Sequence, residues 1–130
     1  MILVEYNFVE AGEWWLKPEV KSGITFSLGA LKEDRVLYAF VVGSELKYIG
    51  ICEKYSTTLN DRMRRYQSQA GAGTNERVAR RIKAALESGG TVKIWALKPP
   101  TSMSYRGLHV DLVKGLENPL IEMFAPPWNR

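Results

Sequence analysis

Short apolar pieces open the chain. Trp14-Trp15-Leu16 and Ile24-Thr25-Phe26 stand among Gly12, Gly23 and Gly29. They predict an arm of short strands or loops packed on a main body, with Trp14 and Trp15 read as core rather than as a stacking platform. From Val36 to Val42 the chain is β-branched and aromatic, which predicts a strand. Gly43-Ser44-Glu45 supplies a turn, and residues 46–50 a second strand, so the pair reads as a hairpin. Thr58 followed three positions later by Asp61 resembles a capping box and starts a helix running to about Ser68. Ala70-Gly71-Ala72-Gly73 breaks the chain, and Thr74 is read as the cap of a second helix that stops at Gly89-Gly90. Residues 91–97 form a third strand, and Pro99-Pro100 opens a loop to about Gly107. Helical periodicity returns between His109 and Phe124. Pro119 inside it must either kink the helix or start a new one after Asn118. The order β-β-α-α-β-α predicts an α/β (α+β) fold. Its small three-stranded, mainly antiparallel sheet is flanked by helices, with residues 1–35 as an N-terminal arm and 36–130 as the main domain.

Two charged residues violate this pattern. Leu59, Met63 and Tyr66 recur at i, i+4 and i+7 and make the core-facing stripe of the first long helix. Arg62 falls on the same face, where a guanidinium is costly unless it is paired, lines a cleft or snorkels past the edge of the stripe. In the last helix Val113, Leu116, Leu120, Ile121 and Phe124 form the apolar stripe, and Glu117 sits inside it. A carboxylate there wants a cation, either a metal ion or an arginine such as Arg62 itself.

Composition narrows the class. The chain has 130 residues, 45% hydrophobic and 25% charged, as in an ordinary one-domain globular protein. No apolar run approaches the length of a membrane span, and the first ten residues carry acidic side chains and no basic leader, so no membrane or secretory segment is expected. Cys52 is the single cysteine, which makes a reducing cytoplasm the default expectation. The net charge is +4. Arg62, Arg64, Arg65, Arg77, Arg80, Arg81 and Lys83 are concentrated in one stretch that is either a solvated face or a phosphate-binding one. On the second helix Arg77, Arg80 and Arg81 share the face opposite Val78 and Ile82, and backbone N–H groups of the glycine-rich loop before it are candidates for a phosphate contact. Tyr105 and Arg106, in the loop after Pro100, are candidates for a groove contact.

Val36-Leu37-Tyr38-Ala39-Phe40, followed by Lys47-Tyr48-Ile49-Gly50, resembles the paired strands that give the GIY-YIG nucleases their name. The resemblance continues in order: Thr58 to Tyr66 is similar to the helix carrying that family's arginine, Leu116-Glu117-Asn118-Pro119 to the segment with its glutamate, and Pro127-Trp128-Asn129 to its closing motif. It covers about residues 36 to 130. Each motif is weak alone, but the ordered set, with two members on the anomalous positions, is specific.

The resemblance implies a metal-dependent endonuclease that hydrolyses DNA phosphodiester bonds. Tyr38 and Tyr48 would line the cleft, one of them orienting or deprotonating the attacking water. Arg62 would hold the scissile phosphate, Glu117 would bind Mg2+ (or Mn2+), and Asn129 would brace the site. Arg65, Arg77, Arg80, Arg81 and Arg106 would contact nucleic acid, and a restriction-like role would favour a homodimer. The chain departs from the family pattern at Val36-Leu37-Tyr38, which lacks the first glycine. It departs again at Tyr66, where some relatives carry histidine and where a hydroxyl serves either the phosphate or the water. His109 is expected to be a surface or helix-start residue. The alternative is a non-catalytic nucleic-acid-binding module on the same fold.

Overall fold

The computed structural model describes residues 2–31, 33, 35–52, 57–68 and 73–130. A short helix α1 (Ile2–Glu5) precedes β1 (Val9–Leu16) and β2 (Ile24–Leu28); the hairpin β3 (Val36–Val42) and β4 (Glu45–Cys52) follows. Helices α2 (Leu59–Ser68) and α3 (Thr74–Glu87) lead to β5 (Val92–Leu97), then to a small hairpin of β6 (Ser104–Tyr105) and β7 (Leu108–His109). Helix α4 (Leu112–Phe124) and a single 3-10 turn (Pro127–Asn129) close the chain.

The main sheet has five antiparallel strands in the order β2-β1-β5-β3-β4, not the three expected. The difference comes from the first 35 residues. Their short strands are sheet members, with β1 paired directly to β5 and β2 forming the far edge. Glu13 on β1 accepts from Lys93 of β5 at 2.8 Å, so polar positions that weaken the local strand signal are satisfied across strands.

Helices cover both faces of this sheet. Val36, Tyr38 and Phe40 enter one core layer with Leu59, Met63, Tyr66, Val78 and Ile82 of α2 and α3. Leu37, Ala39 and Val41 enter the other with Leu3, Phe8, Ile49, Val113 and Leu120. Burial on both sides explains why β3 is apolar throughout instead of alternating. Trp14 is fully buried, whereas Trp15 is half exposed.

The capping box at the start of α2 forms as expected, with Thr58 N–H donating to Asp61 Oδ2 at 3.2 Å and Asp61 N–H to Thr58 Oγ1 at 3.1 Å. Other boundaries differ. Gly73, at φ 55°, occupies the N-cap of α3, and Thr74 is the first helical residue. The chain break at residues 70–72 lies outside the described residues. His109 belongs to the β6–β7 hairpin, and α4 begins after Asp111, whose Oδ1 accepts from the N–H groups of Val113 and Lys114. Pro119 lies inside α4 on an exposed position, and the helix continues through it. Among the described residues, no helix is long and apolar enough to cross a membrane.

Candidate active site

Strand register builds the first half of the site. Tyr38 stands opposite Gly50 and Phe40 opposite Tyr48, so the two tyrosines are diagonal neighbours on one face, with ring centroids 6.3 Å apart. Gly50 contributes no side chain, and a cleft of about 430 Å³ opens over it. Tyr38 makes the floor and is fully buried, while Tyr48 keeps 7% of its surface exposed.

Helix α2 brings two groups to this floor. The Tyr66 hydroxyl lies 2.6 Å from that of Tyr38 and donates to Tyr48 Oη at 3.5 Å. One turn earlier Arg62 lines the cleft. Its Nη1 donates to Asn75 Oδ1 of α3 at 3.1 Å, and its guanidinium carbon sits 5.0 Å from the centroid of the Tyr66 ring. The side chain that interrupts the apolar stripe is thus held by an amide and an aromatic face, at the edge of the core rather than past it.

Glu117 arrives from the other layer. Because β4 is an edge strand, groups from both sides of the sheet meet around it. The cleft is lined by Gly50 and Ile51 of β4, by Arg62 and Asn75 on one side and by Glu117 of α4 on the other. The tail closes the same edge. Asn129 Oδ1 accepts from Ile49 N–H, and Asn129 Nδ2 donates to Ile49 O, both at 2.9 Å, so one side chain substitutes for a neighbouring strand.

Burial sets the electrostatics. Loss of water, then the adjacent Tyr48, raises Tyr38 far above the ordinary phenol range, with Arg62 opposing. Tyr66 is likewise raised, by burial first and then by Tyr38. Burial acts to lower the Arg62 value, but Tyr38, Tyr66 and Tyr48 together push it up, so Arg62 remains a fixed cation. The neutral phenol of Tyr38 and a permanent charge therefore line one side of the cleft, with the neutral Tyr66 beneath them.

Tyr38, Tyr48, Arg62 and Glu117 line this one cleft, and Arg65 lines its rim. Tyr66 lies beneath the floor, fully buried, and touches the site through the other tyrosines and through Arg62. The remaining arginines disperse. Arg77 is half-buried, and its Nη1 donates to Trp128 O at 2.7 Å, fixing the tail rather than facing solvent. Arg80 is exposed and paired with Glu76 one turn away, Arg81 is exposed, and Arg106 occupies the β6–β7 turn at φ 50°. Sequence reasoning missed Asn75 and the buried Thr57, which also lines the cleft. A polar residue in the first turn of a helix is too ordinary to single out.

The donor set determines which metal the cleft suits. Among the described residues, no three His, Cys, Asp or Glu side chains cluster as a metal cage. A single glutamate beside an open, polar cleft fits a hard, hydrated cation that takes most of its ligands from water and substrate oxygens.

No protein-family model matches the chain, and no curated protein matches it. Among solved structures, the fold is similar to that of bacteriophage T4 EndoII, determined as a glutamate-to-alanine mutant. The TM-score is 0.74 and the identity 25%, over 99% of this chain and 96% of that one. The fold is GIY-YIG-like, and the likeness to the phage protein extends across the whole chain, β1 and β2 included.

Proposed function

We propose that this protein is a metal-dependent endonuclease that hydrolyses DNA phosphodiester bonds through a GIY-YIG-type site. The observation that carries the reading is convergence: Tyr38 from β3, Tyr48 from β4, Arg62 from α2 and Glu117 from α4 line one cleft. Its full-length likeness to a phage endonuclease supports the same class.

These groups match the demands of the reaction. Attack on a phosphodiester adds negative charge to the phosphate oxygens, and a cation fixed in advance stabilises that charge without reorganising. Arg62 meets the demand, because Asn75 and the Tyr66 ring already hold it, and its planar fork takes two oxygens at once. Tyr48 is the cleft-lining phenol that keeps contact with solvent, so its hydroxyl oxygen accepts from the attacking water and orients it. Tyr38 and Tyr66 keep their own protons and hold the Tyr48 hydroxyl in place. Glu117 would hold Mg2+ or Mn2+, which when bound supplies Lewis-acid stabilisation at the phosphate. Arg65, Arg80, Arg81 and Arg106 serve as backbone contacts, and Arg77 supports Asn129 by holding the tail.

The test uses plasmid and single-stranded DNA with magnesium or with EDTA. Magnesium-dependent nicking is expected. Arg62→Ala should reduce it by about 10²–10³-fold, the usual effect of removing one preorganised charge-stabilising donor, and Glu117→Gln should abolish the magnesium-dependent nicking. Tight binding of DNA without cutting under any metal would overturn the enzyme reading in favour of a non-catalytic module.

A further inference from the structure

A second cavity of about 830 Å³ adjoins the catalytic cleft through one shared side chain, Arg65. It lies between α2 and β2, with Lys21, from the turn before β2, and Arg64 of α2 on its walls beside Asn60. Gln67 Nε2 donates to Thr25 Oγ1 at 3.2 Å across it, tying α2 to β2 and making the groove a fixed feature of the surface.

Among the described residues, its charge has no acidic counterpart. Four cations elsewhere pair with acids: Arg35 with Asp111, Lys47 with Glu45, Arg80 with Glu76, and Lys93 with Glu10 and Glu13. Among the described residues, no carboxylate pairs with Lys21, Arg64 or Arg65, and none lines the groove. A concave surface carrying three exposed cations and side-chain amides is complementary to a polyanion, and its walls concentrate the positive potential.

We infer that this groove seats the nucleic-acid backbone adjoining the scissile phosphate, with Arg65 linking the two sites. The inference rests on the endonuclease reading, since it takes the substrate strand to leave the cleft past Arg65. Lys21 and Arg64 hold phosphates that do not react, so they contribute equally to ground state and transition state. Their loss weakens binding and leaves the chemical step alone.

Two measurements test this on the intact protein: anisotropy of a labelled DNA duplex over a KCl series in EDTA, and single-turnover cleavage of the same duplex in magnesium at saturating enzyme. The double variant Lys21→Ala/Arg64→Ala should bind about tenfold or more weakly at low salt, with a log–log salt slope shallower by about 2, roughly one per phosphate contact. Its saturated single-turnover rate should stay within about twofold of the parent. The charge-conserving Lys21→Arg/Arg64→Lys should keep the parental slope. If the parent cuts DNA and the alanine double variant binds with unchanged affinity and slope, the groove is refuted while the endonuclease reading stands. If the parent binds with a slope that depends on Lys21 and Arg64 but never cuts, the groove stands only as a nucleic-acid-binding surface, and its link to a scissile phosphate falls with the endonuclease reading. A parent that neither binds nor cuts overturns both.

Discussion

Gly50 lies directly against the ring of Tyr38: a Cβ built on Gly50 would stand 2.4 Å from Tyr38 Cζ and 2.5 Å from its hydroxyl oxygen. Glycine is needed here for room, since the two residues are register partners and the ring covers the backbone of the neighbouring strand. Gly50→Ala should push the ring out of the floor and break its 2.6 Å contact with Tyr66. Overpacking of this kind costs about 1–3 kcal/mol. We expect a lower melting temperature and cleavage slowed by about tenfold or more, the effect of misplacing the reacting groups. Adding Tyr38→Phe should give no rescue, because Cζ remains. A folded Gly50→Ala variant that cuts at the parental rate would refute the role of this contact.

The three tyrosines should separate by kinetics and by pH. Tyr48→Phe should lower the single-turnover rate by about 10²-fold or more with DNA binding intact, whereas Tyr66→Phe should slow it less and cost about 1 kcal/mol of stability for the lost buried hydroxyl contact. Tyr38 and Tyr66 are raised in the folded state, by burial first and then by a neighbouring phenol. A raised value means that folding favours the protonated form. That stabilisation is fully present below about pH 10, the unfolded phenol value, and is lost as pH rises toward the folded values. Denaturant melts across alkaline pH should show stability falling above that point, and falling less steeply in Tyr66→Phe. A parallel decline in both proteins would count against the buried pair.

Asp111 joins two supports of α4. It accepts the first-turn N–H groups of Val113 and Lys114, and its Oδ2 pairs with Arg35 at 2.6 Å. Chiefly through the Arg35 hydrogen bond, its carboxyl is held below the usual value despite some desolvation. A lowered folded value contributes stability present above the unfolded value of about 4 and lost as pH falls through the folded one. Asp111→Asn keeps an acceptor for the cap and removes the charge. It should destabilise by about 1 kcal/mol at pH 7, since the side chain is only a quarter exposed. The gap to the parent should close on acidification below about pH 4. Melting temperatures of both proteins across that range check this, and a gap that persists at the acid end would remove Arg35 as the cause.

What could be read from the residues was local or contradictory. The capping box at Thr58 and Asp61 forms within one turn, so neighbours suffice to reveal it. Arg62 and Glu117 stood out because each breaks an apolar stripe, and both line the cleft. Long-range pairing was hidden. β1 joins the sheet through β5, some eighty positions away, and its strand signal is interrupted by Gly12 and by glutamates whose partner, Lys93, lies on that distant strand. The β6–β7 hairpin was missed because two-residue strands have no period to detect. Asn75 and the Lys21–Arg64 groove are products of tertiary approach, and no spacing rule points to them.

Asn129 supplies the sharpest test of how the tail serves the site. Its amide both accepts from and donates to the backbone of Ile49, next to Gly50 and on the free edge of β4. Asn129→Ala should leave both backbone groups without this partner and cost about 1–3 kcal/mol. Asn129→Asp keeps an acceptor for Ile49 N–H but sets a carboxylate against Ile49 O, so it should be at least as harmful, although nearly isosteric. Because Tyr48 and Gly50 flank Ile49, a loosened edge displaces both. Cleavage should then fall in each variant by more than the fraction unfolded accounts for, with the duplex dissociation constant little changed. Hydrogen exchange at the Ile49 amide provides the direct check: it should accelerate in Asn129→Ala and not in Arg106→Ala, whose turn lies outside the sheet. Protection of Ile49 equal to the parent's in a slowed Asn129→Ala enzyme would show that the tail acts on the reaction by some route other than the strand it covers.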